Sequence, residues 1–350
     1  MGKTLKLQFD PDKAGHRAVG KDISALAVAG RTLFCASDET ADIERLVFDP
    51  DTGDFGQHQT IVLADYFNLP AGTDEMDIEG LAVDQDRLWV TGSHSLKRNK
   101  LDPNAKLDAL NQLKWDANRS FLGYLPLHQV DVGLFLPASP EVASNGLSPS
   151  RMMKTGGKRQ NGLRRFLSSS NLLEPFMHLA AKENGFDVEG LAILGGRALI
   201  GLRGPVLGQH AMIVSIEFKE TASGFLKPRK INGKRYRLHA IDLGGFVIRD
   251  LLVQGDELLV LAGPTQAIEG VARIYSLRGF SPDEEIITRD RLTKIATLPM
   301  REECDHAEGI ASFAFGGKTQ LLVAYDNPAP NRLDKGGHHL LLDVLQLAED

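Results

Sequence analysis

Cysteine is nearly absent: Cys35 and Cys304 are the two in 350 residues, and no Cys-x-x-Cys pair occurs. A disulfide-dense mini-protein, a zinc knuckle and a thioredoxin-like motif are excluded, leaving reduced, buried thiols as the expectation. Long hydrophobic runs are missing too. The longest, such as Leu258 to Ala262, have strand length and fall far short of the roughly 18 residues of a membrane span. Met1 to Asp10 shows no apolar signal core, which points to a cytoplasmic protein. Neither sign of charge dominates: 40 Lys+Arg stand against 46 Asp+Glu, a net charge of −6. Nucleic-acid binding needs concentrated positive charge and is not expected; nor is a membrane partner. Catalytic signatures are scarce. No GxSxG, HExxH or GxGxxG occurs, and Gly317-Lys-Thr319 lacks the earlier glycine of a phosphate loop, because that place holds Ser312.

Glycine is what the sequence has in excess. Its 35 residues are a tenth of the chain, against an ordinary share of about 7%. They are scattered, as turns between many short strands would be.

Four segments repeat: Asp22-Ile-Ser-Ala-Leu-Ala27, Asp77-Ile-Glu-Gly-Leu-Ala82, Asp187-Val-Glu-Gly-Leu-Ala192 and His306-Ala-Glu-Gly-Ile-Ala311. Arg249-Asp-Leu-Leu-Val253 is a degenerate fifth. Each is followed by a turn and a second apolar run, such as Thr32 to Ser37 or Arg87 to Gly92. The spacing is 55 residues from Asp22 to Asp77 and close to 60 in the second half. A period near 50 to 60 residues carrying about four strands is the signature of a β-propeller. In the first blade the strands fall at 22–28, 32–37, 43–48 and 60–64, with Asp49-Pro-Asp-Thr-Gly53 as a turn. Later blades take 211–218 and 236–243, then 271–277 and 293–298. The last offers 308–314, 320–325 and 339–347, and Thr4 to Phe9 can supply its fourth strand, closing the ring.

The step from Asp77 to Asp187 is 110 residues, either two blades or one blade with an insertion. Asp102-Pro103 resembles a helix start, with Leu107, Leu110 and Leu113 at helical spacing. Ser120 to Leu127 suits a third strand, and Glu174 to Ala181 suits an outer strand or a helix. No second inner-strand motif lies between. The expectation is therefore all-β: a single five-bladed propeller domain over 1–350, with a partly helical insertion at 99–170 in the second blade; six blades is the alternative. Arg151, Lys154, Lys158, Arg159, Arg164 and Arg165 make the insertion basic, either a solvated loop or a flap over an anion.

Propeller geometry brings the starts of first strands and the ends of second strands to one mouth of the channel. It gathers Asp22, Asp77, Glu79, Asp187, Glu189, Asp250 and Glu308 with Asp38, Glu39, His94, Arg203, Asp326 and His306. Converging carboxylates repel unless a cation, protonation or basic neighbours relieve them. A calcium-like ion takes six to eight oxygens, for which Glu79, Glu189, Glu308, Asp22, Asp77 and Asp187 are the candidates. In the other reading the Glu-Gly pairs are structural, with glycine allowing close packing at the axis.

Asp77 to Val83, Gly92-Ser-His-Ser-Leu-Lys-Arg98, Asn184 to Ala192 and Gly201-Leu-Arg-Gly-Pro-Val206 resemble a bacterial propeller family, domain of unknown function 3616. That resemblance spans nearly the whole chain and implies a propeller without an activity. The Glu-Gly-Leu strand starts are more distantly similar to phytase-like and esterase-like propellers, which implies calcium at the mouth and ester or phosphoester hydrolysis. Such a metal-dependent hydrolase would use His94 as acid or base, with Arg203 and Lys97 holding a small anionic substrate. The alternative is a non-catalytic propeller that binds a ligand or a protein partner.

Overall fold

A computed structural model describes residues 3–98, 104, 106–139, 149–155, 162–265, 270–299, 301 and 303–347. The fold is all-β and propeller-like, with strands in antiparallel meanders and one six-residue α-helix, Gly162–Leu167, among the described residues.

The first meander runs Ile23–Ala29, Thr32–Ser37, Asp42–Asp49 and Asp54–Val62. Its two inner strands are almost wholly buried, which explains their continuous apolar runs, whereas the outer strand alternates buried and exposed residues. Gly53 closes the outer hairpin at φ +75° and donates its amide to the Asp49 carbonyl, the turn expected there. The outer strand begins six residues earlier than expected, because that hairpin leads directly into Asp54.

The same plan recurs in Asp187–Leu194, Arg197–Leu207, His210–Glu220 and Arg237–Asp242. It recurs again in Val247–Gln254, Glu257–Gly263, Ala272–Arg278 and Thr293–Leu298. At the carboxyl end, His306–Phe315, Lys318–Asp326 and His339–Gln346 form three strands, and Lys3–Gln8 adds the fourth, antiparallel to the last. The expected closure by the amino-terminal strand is therefore present. It also pairs Leu7 with Phe55 of the first meander.

The second meander contains Ile78–Asp84, Arg87–Gly92 and Leu122–Asp131. Its outer position is held by Arg151–Met153, not by 174–181, where 3-10 turns occur at Glu174–Phe176 and Ala181–Glu183. The leucines at helical spacing give a 3-10 turn, Leu107–Asn111, with Leu107 exposed; Asp102 and Pro103 lie outside the described residues. Of the basic stretch, Lys158 and Arg159 lie outside the described residues. Arg164 is buried and donates to the carbonyls of His94 and Met177, so it is not part of a solvated flap. Arg151 pairs with Glu220 at 3.1 Å.

The inner strands pack in a cycle: Ile23–Ala29 on Ile78–Asp84, then Asp187–Leu194, Val247–Gln254, His306–Phe315 and back to Ile23–Ala29. Glycine makes this approach possible. A Cβ on Gly80 would lie 2.7 Å from Leu191 Cβ, and one on Gly190 3.1 Å from the Leu251 nitrogen. The glycine of each Glu-Gly pair is thus a packing residue. No helix among the described residues is long and apolar enough to cross a membrane.

Candidate functional site

Every inner strand slips register at one equivalent point, leaving a bulged residue. The bulges fall between Ile23 and Ala25, Ile78 and Gly80, Val188 and Gly190, Ile248 and Asp250, and Ala307 and Gly309. Ser24, Glu79, Glu189, Arg249 and Glu308 therefore occupy corresponding positions around the axis. In the fourth meander the acid is replaced by arginine, while Asp250 stands where other strands carry glycine or alanine. Asp250 is buried and its carboxylate accepts the amides of Leu251 and Ile310, at 2.7 and 2.9 Å. It ties neighbouring inner strands together. Ser24 donates to the Ile78 carbonyl at 2.5 Å and is likewise structural.

Above this ring lies a cavity of about 800 Å³, lined among others by Asp38, Glu79, Arg203, Arg249, Glu308 and Asp326. Arginines fill one side. Arg203 pairs with Asp187 at 2.5 Å and with Glu189. Arg249 sits between Glu189 and Glu308, at 3.2 and 2.8 Å. Arg119, from the 3-10 turn Ala117–Ser120, pairs with Asp77 at 2.6 Å and Glu75 at 2.7 Å. The surrounding acids hold the Arg203 guanidinium in its charged form despite burial, raising its pKa. Asp187 is nevertheless pushed up to about 6 by burial, with Arg203 pulling the other way.

Other acids of the cavity feel the arginines only at a distance: Arg203 opposes the rise of Glu79 and Arg249 that of Asp326. Asp38 follows Thr32–Ser37, and Asp326 ends Lys318–Asp326, where its backbone bridges Asp22. Asp38, Asp326 and Glu79 have no ion-pair partner among the described residues. Burial pushes Asp38 up to about 7, and repulsion from Asp77, Glu308, Asp22 and Glu39 adds to it. Asp326 rises to about 6, by burial and then by Asp38 and Asp22. Burial also raises Glu79 well above the carboxylate range, and it raises Glu308 to about 7 even though Arg249 pulls the other way.

The residues expected to act together are only partly assembled. Arg203 and Lys97 line the cavity, as do Asp77, Glu79, Glu189 and Glu308. Lys97 is engaged by Glu75 and Asp116, both at 2.9 Å. His94 is fully buried, in left-handed backbone with φ +54°, and is not among the cavity-lining residues. Asp22 and Asp187 are also outside that lining. Of the six acids expected to ligate a metal, Asp77, Asp187, Glu189 and Glu308 face guanidinium groups instead. Among the described residues no group of three or more His, Cys, Asp or Glu side chains is arranged to hold a metal ion. Four of the six expected ligands are thus engaged by arginine.

Arg119 and Arg249 are the functional-site residues that sequence reasoning missed. Arg119 comes from a loop outside the repeat. Arg249 was visible in the degenerate fifth segment, but aligning that segment on Asp250 hid its match to the glutamates.

The chain belongs to the family described as Protein of unknown function (DUF3616), whose model matches residues 22–343. No curated protein matches it. Among solved structures, Myxococcus xanthus glutaminyl cyclase is similar over 98% of this chain and 95% of its own, at 8% identity and a TM-score of 0.41. A luciferin-regenerating enzyme is similar over 99% and 96%, at 9% identity and a TM-score of 0.36. A Bombyx mori GH32 beta-fructofuranosidase is similar over 98% of this chain and 61% of its own, at 10% identity and a TM-score of 0.39. Likeness at this level assigns no activity.

Proposed function

We propose, for this member of the DUF3616 family, a single five-bladed propeller domain over 1–350, with 99–170 inserted in its second blade, whose mouth binds a small organic cation. The cycle of inner strands and the closure by Lys3–Gln8 support the blade number. One observation carries the ligand class: Asp38 and Asp326 line a cavity without an ion-pair partner among the described residues, while Arg119, Arg203 and Arg249 are each engaged by at least two carboxylates. Buried negative charge without a counterion is costly, and a bound ammonium group relieves it. With no group of three or more His, Cys, Asp or Glu side chains set to hold a metal ion among the described residues, an extended organic cation suits the site better. The cationic residues expected to hold a substrate anion, Arg203 and Lys97, are already neutralised, so the ligand charge proposed is the opposite one.

Ester or phosphoester hydrolysis is the second reading. Its support is Asp38, whose carboxyl is pushed up to about 7, in the range where a side chain exchanges protons with a ligand at neutral pH.

Melting curves and calorimetry with putrescine, spermidine, calcium chloride and inorganic phosphate test the proposal. The amines should raise the melting temperature of the wild type and lose that effect in the Asp38→Asn, Asp326→Asn double variant. A response to phosphate with none to amines would overturn it. A calcium response abolished by Glu189→Gln would restore the metal reading. Turnover of nitrophenyl esters or phosphates, lost in Asp38→Asn, would establish the hydrolase.

A further inference from the structure

A second cavity, of about 770 Å³, lies outside the mouth, between the segment after helix Gly162–Leu167 and the outer edge of the third meander. Its size is ordinary for a small-molecule pocket. Phe166, Leu207, Met212 and Leu238 supply apolar walls. Leu172 and Ile286 stand on its lips, 54% and 64% exposed, an unusual cost for large aliphatic side chains facing water.

The polar groups around this recess are unequal. Lys234 lies 3.7 Å from Glu285, and Arg237 lies 2.8 Å from Asp283, so both positive charges are answered. Arg235 is different. Its guanidinium lies over the Phe166 ring, 5.5 Å from the centroid, and has no ion-pair partner among the described residues. Attraction to the aromatic face places the guanidinium at the edge of the apolar recess and leaves its N–H groups able to take a carboxylate. The Tyr236 hydroxyl, 3.4 Å from Ser169 Oγ, adds a neutral polar group beside it.

We propose that this cavity binds an amphipathic acid: an apolar chain or ring seated between Leu172 and Ile286, with its carboxylate on Arg235. Charge complementarity selects the class. An amine would meet an unanswered cation, and an uncharged hydrocarbon would leave that cation unused.

Calorimetry on the full chain with sodium decanoate, decylamine and decanol tests the assignment. Decanoate should bind one per chain, and more tightly than decanol or decylamine. Arg235→Ala should weaken decanoate by about tenfold, the usual worth of a charge-assisted hydrogen bond, and leave decanol unchanged. Ile286→Ser should weaken decanoate and decanol alike. Arg235 and Ile286 are exposed, so both variants should keep the wild-type melting temperature, and this is checked first. Equal binding of decanoate and decylamine, or decanoate affinity unchanged in Arg235→Ala, would overturn the carboxylate assignment. Decanoate affinity unchanged in Ile286→Ser, or no binding below the micellar concentration, would overturn the site.

Discussion

The buried carboxyl groups around the cavity stand in two electrostatic settings, those paired with arginine and those without a direct ion pair. On one side Arg119, Arg203 and Arg249 are threaded between Asp77, Asp187, Glu189 and Glu308. Burial raises the acids there, and the guanidinium groups oppose it. Around Asp38 the neighbours are acids, Asp77 and Glu308 among them, and they add to the effect of burial. The first arrangement is closed on itself and builds structure. The second is open and calls for a ligand or a proton. A repeat that places one residue type at each inner strand does not decide which of these results. What decides it is whether arginine arrives from a second strand, a loop or a bulge.

The largest effect should come from opening the closed side. Arg203→Met would leave Asp187 and Glu189, 1% and 3% exposed, without their shared cation. Breaking a buried ion pair by removing one partner costs about 3–5 kcal/mol. Urea unfolding should show that loss, and a cost below about 1 kcal/mol would mean that this side is as open as the other.

Glycine substitutions compare the packing beneath two of the acids, Glu79 and Glu308. A Cβ on Gly80 would meet Leu191 at 2.7 Å and Thr91 at 2.9 Å, whereas one on Gly309 would meet Leu26 at 3.2 Å. Gly80→Ala should cost about 1–3 kcal/mol as an overpacked core, and Gly309→Ala less. Equal costs would remove this distinction between them.

Much of this was legible in the residues. The recurring Glu-Gly segments located inner strands at Ile78, Asp187 and His306, and Thr4 to Phe9 located the closing strand. These features follow from local pattern, which strands at a crowded axis impose strongly. Partner choice is not local. Asp77 and Arg119 are 42 positions apart, and nothing in either segment specifies the pair. His94 had a suggestive neighbourhood in Ser-His-Ser, yet it is fully buried and is not among the cavity-lining residues. Arg249 stands in line with the glutamates, but the repeat reads as a pattern of acids, and the acid beside it, Asp250, takes its place in that pattern.

Asp38→Asn should act in the opposite direction to Arg203→Met. It removes one of several mutually repelling acids, and should stabilise the unliganded protein above pH 7 by about 1 kcal/mol after screening. The pH dependence follows with a definite sign. Asp38 in the folded chain titrates at about 7, and in the unfolded chain near the ordinary aspartate value of about 4. Between those values the folded state holds the extra proton, so this group's stabilisation is complete below about pH 4 and is lost as the pH rises through 7. Asp326, raised to about 6, adds a loss of the same sign. Unfolding measured from pH 4 to 8 should show a smaller decline in Asp38→Asn than in the wild type. An unchanged slope would show that the acid side is already compensated.

The smallest effect belongs to the rim. Lys97 bridges Glu75 and Asp116, but its side chain is 30% exposed and its partners 37% and 18%. Water and salt screen such pairs, and they contribute about 0.2–1 kcal/mol. Lys97→Ala should therefore cost under about 1 kcal/mol, with the deficit shrinking further at high salt. If Lys97 instead helped to hold an anion, the variant would lose phosphate binding while keeping its stability. If amine binding tightened, Lys97 would be an electrostatic gate on a cation site, because removing a positive charge from the rim lowers the potential an incoming ammonium must cross. The sign of the change in ligand affinity thus separates the two assignments of charge, even though the change in stability is small.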